Sequence, residues 1–267
     1  MKYPIGFMPC DEPHKEGAIP SIQQAVPPVK SLVQVYFPAR NQSFTYFNDR
    51  FDLRKGHFVF VEGKLENIRG IVLEVNKSFK IKVSDYKKVV GLADTHVSGQ
   101  LHMAGSHFIS FDPSALPYEK IRTWYLPPVK EEDLYETGND ATVYSINHLD
   151  DLTDSSSIWD RGHEYYMENR VRYICLENGH GKAIVENTQA YEVEFDFSNG
   201  EIRNLLCNCP CGYHCKHEIA AMMQLKEVLV RIEKHYAHLP QDHFAAILKG
   251  DLFRFAIDSH ETGHFTL

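Results

Sequence analysis

The sequence predicts an α+β fold in which an antiparallel β barrel-like domain comes first and a ββα unit with a helical C-terminus follows. Three observations support this prediction. Residues 32–90 alternate apolar and polar side chains with the period of two that is typical of strands. Four cysteines fall within nine residues, from Cys207 to Cys215. From Glu218 onward the apolar side chains recur with the helical period of 3.6 residues.

The 267 residues are enough for two domains of ordinary size, and the composition divides the chain into four segments. Residues 1–30 are rich in proline and are predicted to form an extended tail. Residues 31–130 are predicted to form a basic β-rich domain. Residues 131–160 carry nine acidic and no basic side chains, which indicates an acidic linker. Residues 161–267 are predicted to form a metal-binding domain with C-terminal helices.

Individual elements follow from the same periodicities. The first domain contains five runs with the alternation of strands, namely SLVQVYF, FTYF, GHFVFVEGK, IRGIVLEV and FKIKVSDY. A short helix is expected beyond Pro117, in YEKIRTWYL. In the second domain RGHEYY is predicted to belong to a turn, and VRYICLE, KAIVENTQAYEVEFDFSNG and EIRNLLCNC to form strands. A long helix is expected from Glu218, and a second helix between Asp242 and Ile257.

Several classes of protein are excluded by the sequence. No apolar run approaches the roughly 18 residues of a membrane helix, so no membrane association is expected. The first thirty residues contain prolines and acids where a signal peptide requires an apolar run, which indicates a cytoplasmic location. The catalytic patterns GxSxG and HExxH and the phosphate-binding P-loop are all absent, so we do not expect an enzyme.

The segment CNCPCGYHCKH carries the clearest chemical signal of the chain. It contains Cys207-x-Cys209, a spacer of five residues, and then Cys215-x-His217. Zinc prefers four tetrahedral thiolate and imidazole ligands, and a complete set of four is typical of structural sites. In a chain without a signal peptide, such a cluster indicates a metal site rather than a set of disulfides. The spacer also holds Cys211, which is an alternative ligand.

From Arg161 to about residue 230 the chain resembles the SWIM zinc finger, in which a CxC pair and a CxH pair flank a ββα arrangement. The flanking features also agree: RGHEYY precedes the hairpins, AIVENTQAYEVEF supplies central strands, and CKHEIAAMM enters the helix. The resemblance implies that Cys207, Cys209, Cys215 and His217 bind one structural Zn²⁺. The spacer is slightly shorter than in the family, and it places Cys211 and His214 as competing ligands.

The first domain combines positive charge with aromatic side chains. Residues 30–90 carry 12 basic and 6 acidic residues, a net charge of +6 in a chain whose overall net charge is −8. Stacking on aromatic rings together with neutralised phosphates is how small β domains hold single strands. The interleaved aromatic residues are Phe44, Tyr46, Phe47, Phe58, Phe60 and Phe79. The candidate nucleic-acid-binding residues are Arg40, Arg54, Lys55, Lys64, Arg69, Lys80 and Lys82.

Residues 32–90 also resemble the N-terminal DNA-binding domain of the primosomal helicase PriA, through VQVYFPARNQSFTYFN, GHFVFVEG and IRGIVLEV. The resemblance implies binding to single-stranded DNA or to strand ends, although no helicase motor follows. We therefore expect a zinc-containing adaptor that binds DNA through the basic domain. One alternative is a protein-interaction subunit in which the zinc domain docks a protein partner. A third interpretation is a metalloenzyme.

Overall fold

The structure is a computed structural model that describes residues 29–95, 97, 99–110, 115–130, 138, 142–258 and 265–266. The predicted tail over residues 1–30 lies almost entirely outside this part of the chain. Most of residues 131–141, the first third of the predicted acidic linker, also lies outside it. The described residues form two β-sheets and four α-helices, which confirms the mixed α+β class.

The first sheet contains five antiparallel strands. These are β1 (Ser31–Phe37), β2 (Gln42–Asn48), β3 (Phe58–Val61), β4 (Gly70–Asn76) and β5 (Val89–Leu92). They are hydrogen-bonded in the order β2-β1-β4-β3-β5. The alternation of the sequence has its predicted effect in β1, where Val33, Val35 and Phe37 are fully buried and the residues between them are not.

The predicted barrel-like form of this domain is not observed as a closed barrel. Within the described residues, the two edge strands meet at a single isolated bridge between Phe47 and Lys88. The fifth predicted strand, FKIKVSDY, is also absent, and a 3₁₀ turn at Val83–Asp85 stands in its place. Its lysines are exposed and its apolar side chains are not buried: Phe79 and Ile81 are only partly buried, and Val83 is 45 % exposed. The edge of the sheet is occupied instead by β5, whose Val89 is fully buried.

The second sheet contains nine strands. These are β6 (Gly99–Ala104), β7 (His107–Ser110), β8 (Tyr144–Ser145), β9 (Val171–Glu177), β10 (His180–Glu186), β11 (Ala190–Ser198), β12 (Glu201–Cys207), β13 (His243–Leu248) and β14 (Phe265–Thr266). Their order is β14-β6-β7-β13-β9-β10-β11-β12-β8. Eight of these strands pair antiparallel, and the short edge strand β14 pairs parallel with β6.

Four helices cover the second sheet on both faces. They are α1 (Tyr118–Tyr125), α2 (Ser156–Met167), α3 (Lys216–His235) and α4 (Lys249–Asp258). Residues of α3 pack with Ile174 and Leu176 of β9, whereas residues of α1 and α4 pack with Tyr173 and Cys175 of the same strand. Because β9 is buried on both faces, it has an almost uninterrupted run of buried residues. None of the helices in the described part of the chain has the length and apolar character required to cross a membrane.

One predicted element of the C-terminal half is wrong in type, and a second is wrong in its first half only. RGHEYY belongs to helix α2 rather than to a turn. The predicted second helix over residues 242–257 is instead strand β13 followed by α4. The reason lies in the period of two of FAAI: Phe244 and Ala246 face the core beside α3, and Ala245 and Ile247 face the core beside α1. This pattern suits a central strand between β7 and β9.

The segment that forms the first sheet ends with β5 at Leu92, and the segment that forms the second sheet begins with β6 at Gly99. The sequence instead predicts domain boundaries at residues 130 and 160. Strands β6 and β7 and helix α1 all belong to the second sheet or its core. Strand β8 lies inside the predicted acidic linker and pairs with β12. The predicted division into independently folding domains stays a prediction. The first sheet contacts helix α1 of the second core where Phe58 packs against Trp124, with ring centroids 4.6 Å apart.

Candidate metal centre

The four predicted metal ligands meet where β12 ends and α3 begins. Cys207 is the last residue of β12, and Cys209 lies in the bend that follows it. Cys215 is the N-cap residue of α3, and His217 lies in the first turn of this helix. The intervening Asn208 fixes the bend to β11, because its side-chain oxygen accepts the backbone N–H of Glu192 at 2.9 Å. The backbone N–H of Asn208 also donates to the backbone carbonyl of Glu192 at 3.0 Å.

One donor atom from each of Cys207, Cys209, Cys215 and His217 lies within 4.8 Å of the other three. His217 Nδ1 is 3.7 Å from Cys207 Sγ and 3.6 Å from Cys215 Sγ. A tetrahedral site with metal–sulfur bonds of about 2.3 Å and metal–nitrogen bonds of about 2.0–2.1 Å requires about 3.6 Å between sulfur and nitrogen. The donor set therefore fits one metal ion of that geometry.

Each sulfur of this group also accepts a backbone N–H. Cys207 accepts from Cys209, Cys209 accepts from Cys211, and Cys215 accepts from Glu218. The bond from the Glu218 N–H to the Cys215 sulfur is one half of a capping box. In the other half, the Glu218 carboxylate accepts the Cys215 N–H at 2.9 Å. N–H donors of this kind stabilise thiolates and fix their orientation, as outer-shell partners of metal ligands do.

The thiol pKa values differ although the three sulfurs are neighbours. The pKa of Cys215 is lowered to about 4, chiefly by the hydrogen bond from Cys207 and further by the His217 ring and the Glu218 N–H, although burial opposes this shift. The same bond to Cys215, together with burial, raises the pKa of Cys207. Burial raises the pKa of Cys209 to about 12. Ionising all three sulfurs in this space therefore requires a cation that compensates their charge.

Aromatic rings hold the imidazole of His217 in place. The Tyr191 ring stacks on it with centroids 4.5 Å apart, and the Tyr165 ring meets it edge-on at 5.6 Å. His217 is consequently 4 % exposed. The neighbouring Lys216, which lies between two ligands in the sequence, directs its ammonium group over the Tyr165 ring at 4.5 Å from the centroid. This cation–π contact anchors α2 beside the donor set.

The competing ligand His214 is engaged elsewhere. Its Nδ1 is 2.9 Å from Glu218 Oε2, and its Nε2 is 2.7 Å from the hydroxyl of Tyr144 in β8. Glu218 is 5 % exposed, and burial raises the pKa of its carboxyl group. These bonds tie the loop between the ligand pairs to β8 and to α3. His214 thus supports the loop from outside the four-atom donor group.

Cys211 is exposed and is not part of the four-atom donor group. Its backbone N–H donates to the sulfur of Cys209, and the two thiols are in hydrogen-bonding contact. Its predicted role as a substitute ligand stays a prediction.

The candidate nucleic-acid-binding residues differ in exposure and in their ion pairs. Arg40, Lys55, Lys64 and Lys80 are exposed and form no ion pair within the described residues. Arg54 and Lys82 are also exposed, and each lies within 4.0 Å of an aspartate. Arg69 is half-buried: its guanidinium lies 3.5 Å from the centroid of the Trp124 ring and donates to the Trp124 carbonyl at 2.6 Å. We assign Arg69 to the contact between the two sheets.

Most of the interleaved aromatic residues belong to the core. Tyr46, Phe47, Phe58 and Phe60 are each at most 8 % exposed and cannot stack on a base from the surface. Phe44 is 43 % exposed, and Phe79 is half-buried against the Phe47 ring. Any binding of nucleic acid by this sheet must therefore depend chiefly on charge.

The residues around the donor set that were not singled out from the sequence include Tyr144, Asn208, Tyr191 and Glu218. A local signal was available for Glu218, which stands three residues after the N-cap Cys215 as a capping box requires. The two tyrosines approach through strand pairing over long sequence distances, which spacing alone does not reveal. No family model, curated protein or solved structure matches the chain. We therefore infer function from the geometry of these residues.

Proposed function

We propose that the protein is a zinc-stabilised binding protein whose Cys₃His centre is structural. The donor set itself supports this proposal. Three thiolates and one imidazole suit the borderline-soft Zn²⁺ ion, and the N···S distances of 3.6 and 3.7 Å match its tetrahedral geometry. When bound, the ion would supply the positive charge that keeps the three neighbouring sulfurs ionised.

A structural role is favoured over a catalytic one. A catalytic zinc needs an open coordination position for water or substrate, whereas four protein ligands complete the tetrahedron. Cys209, Cys215 and His217 are each at most 6 % exposed, which leaves substrate little access to them. The role of the centre would be to hold the end of β12 against the start of α3.

The order of elements also supports the SWIM resemblance as a proposal. In β11, β12 and α3 the chain has a ββα order, with the CxC pair at the end of the second strand and the CxH pair at the start of the helix. Modules of this kind bind nucleic acids or proteins, and we extend that expectation to this chain.

Metal analysis of the purified full-length protein tests the centre. We expect one equivalent of zinc per chain and loss of that zinc in Cys215→Ser. Less than half an equivalent in freshly reduced, zinc-supplemented protein would contradict the proposal. Substitution of zinc by Co²⁺ offers a second test, because tetrahedral thiolate ligation gives strong visible absorption.

We further propose that the first sheet binds nucleic-acid phosphates through a basic face, defined as residues 50–55 and 77–82. This face carries six basic residues and one acidic residue, Asp52. Asp52 links the two segments, since it lies 3.6 Å from Arg54 and 3.9 Å from Lys77. Lys55 and Lys80 remain exposed there without an ion pair among the described residues. Unpaired cations on one face suit a polyanion.

Salt-dependent binding tests this second part. On a single strand each neutralised phosphate contributes about −0.7 to the slope of log K against log salt concentration, so three or four contacts give a slope of about −2 to −3. Single- and double-stranded oligonucleotides of equal length should be titrated with the full-length protein at several salt concentrations. Absence of binding to both forms at low salt would contradict DNA binding and leave the zinc proposal intact.

A protein partner is the second candidate, and one observation favours it. Tyr213, in the loop between the two ligand pairs, is 89 % exposed. Exposed aromatic side chains on a rigid support are typical anchors of protein interfaces. Tyr213→Ala should leave zinc content unchanged, so a loss of partner binding in this variant could be assigned to the interface.

A further inference from the structure

A groove of about 670 Å³ lies between α3 and one end of the second sheet. Two hairpin turns line one side of it, the β9–β10 turn at residues 178–179 and the β11–β12 turn at residues 199–200. The other side is formed by residues of α3 that recur with helical spacing: Lys226, Leu229, Val230 and Glu233. Binding sites typically have volumes of about 300–1,000 Å³, so the groove is large enough for a ligand.

The side of the groove formed by the two turns is rigid. Both turns have the sequence Asn-Gly, and all four residues have positive φ angles between 52° and 86°, as tight two-residue hairpin turns require. The Gly179 carbonyl accepts the Phe197 N–H at 2.8 Å, which ties the first turn to β11. The Gly200 carbonyl accepts the Ile146 N–H at 2.9 Å, which ties the second turn to the residue after β8. A partner would therefore meet a preformed surface that loses little conformational entropy on binding.

The middle of the groove is apolar. Ile146, Phe197 and Leu229 line it and belong to the edge of the core beneath α3. Val230 lines the same groove and is 54 % exposed. Apolar side chains that adjoin one another in a concave surface are typical of docking sites, whereas single ones scattered over the surface are not.

The charges of the groove are separated between its two ends. Lys226 lies at the β8 end, where its ammonium group donates to the Asn147 carbonyl at 3.4 Å. Asp242 lies at the opposite end, directly before β13, because the strand order places the two hairpins between β13 and β8. Glu233 is about 10 Å beyond Lys226 along α3. Asp242 and Glu233 are exposed and form no ion pair within the described part of the chain, so they offer two carboxylates to a cation.

We propose that this groove docks a basic amphipathic segment of a partner protein. Apolar side chains of the segment would cover Leu229 and Val230, while a lysine or arginine would pair with the carboxylates at the Asp242 end. Helix-in-groove recognition combines such apolar anchors with charges that fix orientation. The same carboxylates repel a nucleic acid or an anionic membrane surface, and the overall net charge of −8 also favours a basic partner. Neither Tyr213 nor the basic face lines the groove, so the inference goes beyond the function proposed above.

Fluorescence anisotropy with the full-length protein tests the proposal. The probe is a labelled peptide of about 12 residues, three turns of helix, with leucines on one face and lysines on the other. We expect saturable binding that weakens about tenfold in Glu233→Lys combined with Asp242→Lys, and about threefold in Val230→Ser. The matched control is Glu74→Lys combined with Glu119→Lys, which changes the net charge equally at exposed positions outside the groove. This control should bind the probe within about twofold of the parent protein.

Two further measurements locate the site and define its chemistry. A peptide in which glutamates replace the lysines should bind at least about tenfold more weakly. Hydrogen exchange should show that the lysine peptide protects residues 226–233 and both turns. The substituted side chains are all exposed, so unchanged melting temperatures would show that a loss of binding is not a loss of folding.

Three outcomes would overturn the proposal. Equal weakening in the groove variant and the matched control would show that the peptide responds only to the overall charge. Tighter binding of the glutamate peptide would mean that the groove takes an acidic partner. Absence of binding of the lysine peptide at about 1 mM would mean that the groove does not dock such a segment.

Discussion

The two sheets bring distant chain segments together by different means. The first sheet encloses an apolar core that includes Val33, Phe37 and Val59, and most of its charged residues lie in exposed loops. The second sheet ends in a cluster of buried donor atoms between β12 and α3. Loss of one exposed loop charge in the first sheet alters only its surface. Loss of one donor in the second leaves buried polar groups without the ion that their arrangement fits.

The energies of the two kinds of contact differ accordingly. Apparent binding energies of structural zinc are about 10–16 kcal/mol, and this energy contributes directly to folding. Exposed ion pairs such as Arg54–Asp52, whose side chains are 75 % and 62 % exposed, contribute about 0–1 kcal/mol at most. Substitution of a zinc ligand should therefore unfold a segment of the chain, whereas substitution of an exposed charge in the first sheet should change binding alone.

The largest effect is expected from Cys215→Ser. This change removes a metal ligand, but the serine hydroxyl can still accept the Glu218 N–H, so the capping box that starts α3 is kept and the effect can be assigned to the metal. We expect loss of bound zinc, a lower melting temperature and faster hydrogen exchange in β12 and the first turns of α3. Metal analysis and hydrogen exchange resolved by peptide measure these changes.

Cys211→Ser is the control for this prediction, because it removes a neighbouring cysteine outside the donor group. It should keep one equivalent of zinc. Equal zinc loss in both variants would show that Cys211 is a ligand and that the four-atom donor group is incomplete.

Chelation of zinc should affect the two sheets of the same molecule differently. When zinc is removed, we expect exchange protection to fall in β11, β12 and α3 and to persist in the strands of the first sheet. The first sheet has its own apolar core and no metal donor group within its described residues. A uniform loss of protection across both sheets would mean that the Phe58–Trp124 contact makes them one cooperative unit.

The sequence predicts the metal centre better than it predicts the surrounding fold. All four ligands are close in sequence, so the CxC and CxH spacing alone indicates a common site. The outer contacts of Tyr144 and Tyr191 depend on the pairing of β8 with β12 and of β11 with β10 and β12. Strand pairing over such distances cannot be deduced from local patterns.

The errors in predicted elements have a related cause. The segment HFAAIL suits either element by periodicity, because a short apolar run does not distinguish a buried strand from a helix. It becomes a strand because a central position between β7 and β9 is available. FKIKVSDY shows the converse case: it alternates as a strand should, but none of its apolar side chains is fully buried.

A smaller effect is expected from charge reversal on the basic face. Lys55→Glu combined with Lys80→Glu should weaken binding of single-stranded DNA at low salt about tenfold and reduce the salt slope by about 1–2. Both side chains are exposed, so the melting temperature should not change. The control is Arg40→Glu, because Arg40 lies in the turn that follows the end of β1. The basic face lies near the other end of this strand: Lys77 follows Asn76, which pairs with Leu32 near the start of β1. An equal effect at Arg40 would argue against one defined face.

The smallest effect concerns the contact between the two regions. Arg69 places its guanidinium over Trp124 and donates to the carbonyl of the same residue, so it bridges the first sheet and α1. Arg69→Met keeps much of the side-chain length but removes the cation–π contact and the hydrogen bond. We expect the free energy of unfolding to fall by about 1 kcal/mol, a magnitude typical of partly buried cation–π pairs. Arg54→Met, at an exposed ion pair, should change it by less than about 0.5 kcal/mol. Chemical denaturation of both variants measures the difference, and equal values would mean that Arg69 contributes nothing to the joining of the sheets.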